Sequence, residues 1–141
     1  MTPEEWRRNE ANRWLAVAGK DLHAARLLTK EEPWAAVFHC QQAAEKSAKA
    51  FPTLHEVAFR RTHDLNELGK HCIALDAGLT PLLEEAAGLT DYAVVFRYLD
   101  APHEPDEAEA ESALAIAKRL YDRVRGLVGL DESEETEGGH E

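Results

Sequence analysis

Apolar residues recur along this chain at intervals of three and four, the spacing that places them on one face of an α-helix. The pattern predicts five helices, and each begins with a capping side chain or an early proline. The predicted bounds are residues 2–30, 33–50, 62–77, 80–98 and 106–128, with Asp64 as a second candidate for the third start. Short connections between such helices predict an all-α fold, an antiparallel up-and-down bundle of four to five helices.

Charge divides the chain into a bundle and a tail. The chain has 141 residues and a net charge of −11, and residues 131–141 hold six acidic side chains and no Lys or Arg. That segment is expected to be a disordered acidic tail, so the bundle domain is predicted to occupy residues 1–130. The remaining charge of −5 argues against a broad nucleic-acid-binding surface, and any contact with RNA or a nucleotide has to be local.

Signals for membranes, secretion and metals are weak in this sequence. No apolar run approaches the ~18 residues of a membrane span, and the first residues lack a basic region followed by an apolar stretch. We therefore expect a cytoplasmic protein without membrane contact. Cys40 and Cys72 each follow a histidine, but neighbouring helical side chains point ~100° apart and are poorly placed to chelate one ion. Buried, reduced thiols are expected, with no metal ion and no cofactor.

The second predicted helix departs from the apolar pattern at Gln41 and Glu45. Both fall inside its inward stripe, which consists of Trp34, Val37, Phe38, Ala44 and Ala48. A carboxylate on that face is costly unless a donor pairs with it. Arg97 extends the inward face of the fourth helix, and its planar guanidinium can hold a carboxylate through two hydrogen bonds. The same pair would also serve as a purely structural clamp between helices.

Arg97 is followed by Tyr98 at the end of the fourth helix and by His103 in a proline-containing connector. A histidine beside a fixed cation is sufficient for RNA cleavage without a metal ion. The imidazole would remove the proton of a ribose 2′-hydroxyl, and the guanidinium would stabilise the charge that develops on the phosphate.

A short basic segment, residues 60–63, precedes the third helix and includes Arg61 and His63. Backbone N–H groups at a helix start favour anions, so the segment fits a phosphate-binding patch. The other interpretation, helix capping with two solvated arginines, is favoured. Lys46 and Lys49 flank the inward stripe of the second helix, where they either add positive charge to a cleft or occupy ordinary exposed positions.

Four segments carry a further signal, within a pattern that extends over about residues 14–128. They are Asp21-Leu22 with Ala24-Ala25, Gln41 to Lys46 followed by Lys49-Ala50, Arg61 to Leu65, and Arg97-Tyr98. In these segments the chain resembles the HEPN family of small helical domains. The resemblance implies an antiparallel bundle that is usually dimeric. It also implies frequent genomic pairing with a minimal nucleotidyltransferase, as a toxin–antitoxin or substrate-binding system.

Active members of that family use an Arg, followed four to six residues later by His, for metal-independent RNA cleavage at two sites that face each other across the dimer. Arg97 and His103 meet this spacing and are the predicted catalytic residues. The predicted binding or orienting residues are Gln41, Glu45, Lys46, Tyr98, Arg61 and His63. Tyr98 stands where the commonest active form has a polar residue directly after the arginine.

The leading hypothesis is therefore a homodimer that binds RNA or a nucleotide in a polar cleft near the dimer interface and cleaves RNA. One alternative is a non-catalytic partner that docks on a separately encoded minimal nucleotidyltransferase and presents its substrate. Another is a dimerisation module, in which the inward polar residues serve stability alone.

Overall fold

The computed structural model describes residues 1–59, 61–95 and 104–129, and for residues 91–95 it describes the backbone alone. Within these ranges the chain forms five α-helices and no strand. They are α1 (Pro3–Leu28), α2 (Pro33–Leu54), α3 (Leu65–Leu75), α4 (Thr80–Val95) and α5 (Glu107–Val128), with a 3₁₀ turn at Ala77–Leu79 before α4.

Capping side chains set the start of three helices. The Thr2 hydroxyl accepts from the backbone N–H of Glu5, whose carboxylate accepts in turn from the Thr2 backbone N–H. Asp106 and Glu109 make the same reciprocal pair at α5. Asp64 caps α3 by accepting a backbone N–H two residues further on, at 2.9 Å. Such caps contribute about 1 kcal/mol each, and the starts predicted at Asp64 and Asp106 are confirmed.

The helices pack antiparallel, as hydrogen bonds between α1 and α2 show. Arg7 Nε donates to the backbone oxygen of Leu54 at 3.2 Å, and Lys46 Nζ donates to Asp21 Oδ2 at 2.8 Å. Residue numbers thus rise along α1 while those of its partners fall along α2. This confirms the predicted antiparallel helical bundle.

The other helices are joined in the same way. The backbone N–H of Leu65, at the start of α3, donates to Thr90 Oγ1 near the end of α4 at 3.4 Å. Arg119 on α5 forms an ion pair with Glu85 on α4 at 2.7 Å.

Alanine dominates the core between α1, α2 and α5, where small side chains let the helices approach closely. The buried alanines of these three helices are Ala11, Ala18, Ala25, Ala36, Ala43, Ala44, Ala48, Ala50, Ala110, Ala113 and Ala117.

The end of α2 differs from the prediction, because the helix passes through Pro52 and ends at Leu54 rather than near Ala50. Proline has no N–H, so the carbonyl of Ala48, four residues earlier, loses its helical donor. The Cys72 thiol of α3 takes that place and donates to the Ala48 oxygen at 3.2 Å. A donor from a neighbouring helix therefore makes an internal proline tolerable in the last turn.

Two further predictions about side chains and helix ends were wrong. Trp34, placed on the inward stripe by periodicity, is 50% exposed because it stands in the first turn of α2, at the end of the bundle. α3 ends at Leu75, before Gly78, because the Asp76 side chain accepts the Gly78 backbone N–H at 2.9 Å and turns the chain. The predicted tail, residues 131–141, and the predicted end of the fourth helix lie outside the described residues.

Candidate functional site

A polar row crosses the buried face of α2. Gln41, Glu45 and Lys49 follow one another at intervals of four, and all three are buried. Intervals of four place side chains one above another on a helix, so the row faces the bundle interior as one strip. The inward positions that periodicity predicts for Gln41 and Glu45 are confirmed. Lys49 is buried too, which contradicts the interpretation that it is an ordinary exposed residue.

The carboxylate of Glu45 is the centre of this row, with its side chain only 2% exposed. Its Oε1 accepts a hydrogen bond from Gln41 Nε2 at 3.0 Å. Its Oε2 accepts from Lys49 Nζ at 3.1 Å and lies 2.8 Å from His63 Nδ1. A buried carboxylate is tolerated only with such partners, since desolvation costs several kcal/mol. Gln41, Glu45, Lys49 and His63 are called the Glu45 cluster below.

His63 reaches this carboxylate from the connection between α2 and α3. Its side chain is 77% exposed, although the group it bonds is almost wholly buried. An ionised carboxylate can only accept hydrogen bonds, so the proton of this contact belongs to Nδ1. The second ring nitrogen, Nε2, takes no part in this contact. The Glu45 cluster therefore joins the protein interior to an imidazole at the surface.

Lys49 completes the charge balance of the Glu45 cluster. Its ammonium is the positive partner of Glu45, and it lies 5.1 Å from the ring centroid of Trp14 on α1. The face of an indole ring attracts a cation, so Trp14 covers the ion pair and stabilises it. Trp14 also lines a groove of about 250 Å³ on α1, together with Glu10, Arg13 and Val17.

A second cluster lies between α1 and α2. Asp21 Oδ1 is 2.9 Å from His39 Nδ1, and Asp21 Oδ2 accepts from Lys46 Nζ at 2.8 Å. The three side chains are partly exposed, at 12% for Asp21, 32% for His39 and 20% for Lys46. These residues are called the Asp21 cluster below. The structure places Lys46 here and not with Glu45, because its direction on α2 differs from that of the inward row.

The two thiols are unsuited to nucleophilic or redox chemistry. Burial raises the pKa of Cys40 to about 12, and the negative charge of Asp21 acts in the same direction. Burial alone raises the pKa of Cys72 to about 12. Thiolates, not thiols, attack substrates and bind metals, so both side chains are inert at neutral pH. In residues 1–59, 61–95 and 104–129 no group of three His, Cys, Asp or Glu side chains is arranged to hold a metal ion.

The predicted site residues thus fall into three sets. The structure brings Gln41, Glu45 and His63 together and leaves Arg61 exposed two residues before His63. Lys46 belongs to the Asp21 cluster. Arg97, Tyr98 and His103 lie outside the described residues, so the pairing of Arg97 with Glu45 stays a prediction.

Sequence reasoning missed two contacts to Glu45, those of Lys49 and His63. The signal for Lys49 was its spacing of four from Glu45, which is the spacing of helical ion pairs. The contact with His63 had no local signal, since it joins residues 18 positions apart. Among the helices of the described residues, none has both the length and the apolar character that crossing a membrane requires.

Comparison with known proteins identifies one family. A family model described as the HEPN domain matches residues 11–127. This range includes both clusters, all of α2, α3 and α4, and most of α1 and α5. No match was found among curated proteins or among solved structures.

Proposed function

The chain belongs to the HEPN family, and on that premise we propose that it binds RNA or a nucleotide in a polar cleft at the Glu45 cluster and cleaves RNA without a metal ion. The observation that carries the proposal is the burial of ionic groups on α2, at positions where neighbouring turns bury alanine. A buried ion pair contributes little net stability compared with apolar residues of the same size. Its presence therefore supports a role in positioning charged groups at a site.

The proposed catalytic residues are Arg97 and His103, which are assigned from the sequence and the family spacing. His103 removes the proton of a ribose 2′-hydroxyl, and the resulting oxygen attacks the adjacent phosphorus. Arg97 stabilises the negative charge that develops on the phosphate oxygens. The bond between phosphorus and the 5′-oxygen of the next nucleotide breaks, and that oxygen takes a proton from solvent. The products are a 2′,3′-cyclic phosphate and a 5′-hydroxyl end.

Local positive charge supports the choice of an anionic ligand. The body of the chain is acidic, yet the exposed segment beside the Glu45 cluster carries Arg61 and His63. Cationic side chains such as Arg61 contact phosphates, and such contacts supply most of the affinity of nucleic-acid binding. The proposed binding or orienting set also includes Gln41, Glu45 and Tyr98. Its last member is Lys46, which lies in the neighbouring Asp21 cluster.

We further propose a homodimer whose subunits place two such sites near their interface. Trp6 and Val17 on α1 are exposed, and large apolar side chains at the surface are typical of interfaces. Light scattering at micromolar concentration tests this directly. The mass of a dimer supports the proposal, and the mass of a monomer contradicts it.

The catalytic proposal is tested by incubating the purified protein with RNA in EDTA. The wild type is expected to cleave and to leave 2′,3′-cyclic phosphate ends. Arg97→Ala and His103→Ala are each expected to slow cleavage by at least about 100-fold, the usual contribution of a proton-transfer group or charge-stabilising donor. Arg125→Ala and His23→Ala make the same substitutions at exposed positions of α5 and α1 and should leave the rate unchanged. Equal rates in all five proteins, or no cleavage by the wild type, would overturn the catalytic proposal.

A second candidate is favoured by Tyr98, which stands directly after Arg97 where a polar residue is commonest. Here the chain is the non-catalytic partner of a separately encoded minimal nucleotidyltransferase and presents its substrate, within a toxin–antitoxin pair. A short nucleotidyltransferase gene beside this one, whose product co-purifies with the chain, would support it. RNA cleavage that requires His103 in the absence of that partner would contradict it.

A further inference from the structure

We propose that His63 is the titratable phosphate-binding group of the cleft, held in place by Glu45 and active in its protonated form. The inference rests on the proposed binding of RNA or a nucleotide and gives that binding a pH dependence. It assigns His63 a role in contact with the ligand, distinct from those of Arg97 and His103. Its basis is the contrast between a buried carboxylate and an exposed imidazole bonded to it.

The geometry fixes the ring in one orientation. His63 Nδ1 lies 2.8 Å from Glu45 Oε2, and this carboxylate is itself held by Gln41 and Lys49. A donor whose position is set before the ligand arrives loses little conformational freedom on binding. The exposed ring is therefore held from α2 through Nδ1, which leaves Nε2 for a ligand, and the exposed Arg61 stands two residues before it.

Protonation of His63 changes the net charge of the Glu45 cluster. Lys49 already neutralises Glu45, so the buried pair carries no net charge. A proton gained by His63 is then not cancelled, and it adds one positive charge at the surface of the cluster. Protonated imidazole donates from both nitrogens, so Nε2–H becomes a donor for a phosphate oxygen.

Other charged groups near His63 reinforce this result. On α2, the helix packed against it, the groups bonded into the cluster are Glu45 and Lys49. On its own segment Arg61 adds positive charge, whereas Asp64 is engaged as the cap of α3. On α4, the neutral hydroxyl of Thr90 accepts from the backbone N–H of Leu65, two residues after His63. A phosphate at Nε2 would thus meet positive charge from His63 and Arg61.

His39 provides a matched comparison. It too contacts a carboxylate through Nδ1, at 2.9 Å from Asp21. Its ring is much less exposed, at 32%, and it is wedged between α1 and α2 beside Lys46. The two histidines make the same contact with a carboxylate but differ in exposure, so His39→Gln separates the effect of that contact from contact with phosphate.

The experiment measures binding to a fluorescein-labelled single-stranded RNA whose riboses are 2′-O-methylated and cannot be cleaved. Fluorescence anisotropy is recorded from about pH 5.5 to pH 8, across the normal titration range of histidine. The wild-type affinity is expected to fall about tenfold over this range, the size of one charge-assisted contact. His63→Gln keeps an amide donor for Glu45 and should bind weakly at every pH. The slope of log affinity against log salt should also fall by about 0.7, as for one lost phosphate contact.

His39→Gln, and His23→Gln at an exposed position of α1, should retain the wild-type pH dependence. A His63→Gln protein with the full pH dependence would overturn the inference and leave RNA binding intact. Wild-type binding that does not change with pH would do the same. Absence of wild-type binding at any pH would overturn the proposed function and the inference together. These three results are therefore distinguishable.

A second measurement follows the His63 ring in the wild type, so its readout does not depend on the affinity of the variant. The ¹H–¹³C NMR signal of the His63 ring is followed through a pH titration, with and without the same RNA, and His63→Gln identifies the signal. RNA is expected to extend the protonated form to higher pH, because a phosphate at Nε2 stabilises the positive charge. An unchanged His63 titration in the presence of saturating RNA would overturn the inference.

Discussion

The Glu45 cluster and the Asp21 cluster contain the same three chemical groups, a carboxylate, a lysine ammonium and an imidazole, yet they differ in what holds them. In the first, the carboxylate and the lysine stand four residues apart on α2, and the histidine comes from the α2–α3 connection. In the second, the carboxylate stands on α1 and both partners stand on α2. The first cluster is thus built into one helix, whereas the second joins two helices.

The carboxylates of the two clusters differ in how far they are removed from water. The Glu45 carboxylate is almost fully removed from water, so each of its partners replaces a lost water contact. The Asp21 carboxylate is partly exposed, and water can substitute for a lost partner. The Glu45 cluster should therefore respond to the loss of charge, whereas the Asp21 cluster should respond mainly to the loss of a contact between helices.

The largest effect is expected for Glu45→Gln. This substitution keeps the shape of the side chain but leaves the buried ammonium of Lys49 without a counter-charge. The free energy of unfolding should fall by about 3–5 kcal/mol, the usual cost of breaking a buried ion pair by removing one partner. Urea denaturation followed by circular dichroism measures it.

The double variant Glu45→Gln/Lys49→Met is the control, since it removes both charges at nearly constant volume. It should recover most of the lost free energy, because no unpaired charge remains in the interior. If the double variant is as unstable as the single one, the two charges are not coupled and the importance given to burial is wrong.

A smaller effect is expected for Asp21→Asn. The asparagine can still accept a hydrogen bond from Lys46, and water reaches the partly exposed partners. The free energy of unfolding should fall by about 1–2 kcal/mol. The same urea experiment in about 1 M NaCl sharpens the comparison, because salt screens exposed charges more than buried ones. The effect of Asp21→Asn should shrink in high salt, and the effect of Glu45→Gln should stay nearly constant. Equal salt sensitivity of the two would contradict the contrast in burial.

Local patterns in the sequence predicted the helices and the inward direction of Glu45, for a physical reason. A helix start depends on residues within one turn, as at Asp64 and Asp106, and the direction of a side chain depends on the 100° step alone. These features need no knowledge of the tertiary structure. The family resemblance came from the same kind of information, since it depends on short segments in a fixed order.

Contacts between distant residues could not be read from such patterns. His63 reaches Glu45 because of the path of a connection, and Cys72 rescues the orphaned Ala48 carbonyl from another helix. Each depends on the register between elements, which the spacing within one element does not contain. For that reason periodicity identified Glu45 as a carboxylate in need of a donor but did not find the imidazole that meets it.

The smallest effect of a substitution is expected at Cys40, the thiol beside the Asp21 cluster, when the charge of Asp21 is removed. Burial, the larger cause, raises the pKa of Cys40 to about 12, and the charge of Asp21 adds to it. The pKa of Cys72 is raised to about 12 by burial without that charge. Only the thiolate reacts with iodoacetamide, so at pH 8 the folded wild type should react at least about 100-fold more slowly than the urea-unfolded chain at both positions.

Asp21→Asn separates the two causes at Cys40. Removal of the negative charge lowers the pKa of Cys40 and should raise its alkylation rate by about threefold, because burial remains in place. Cys72 serves as the internal control, and its rate should not change. Mass spectrometry of the alkylated peptides reports both positions in one sample. An increase of about 100-fold at Cys40 alone would mean that the Asp21 charge outweighs burial. The Asp21 cluster would then control its surroundings by charge, as the Glu45 cluster does, and the distinction between the two clusters would fail.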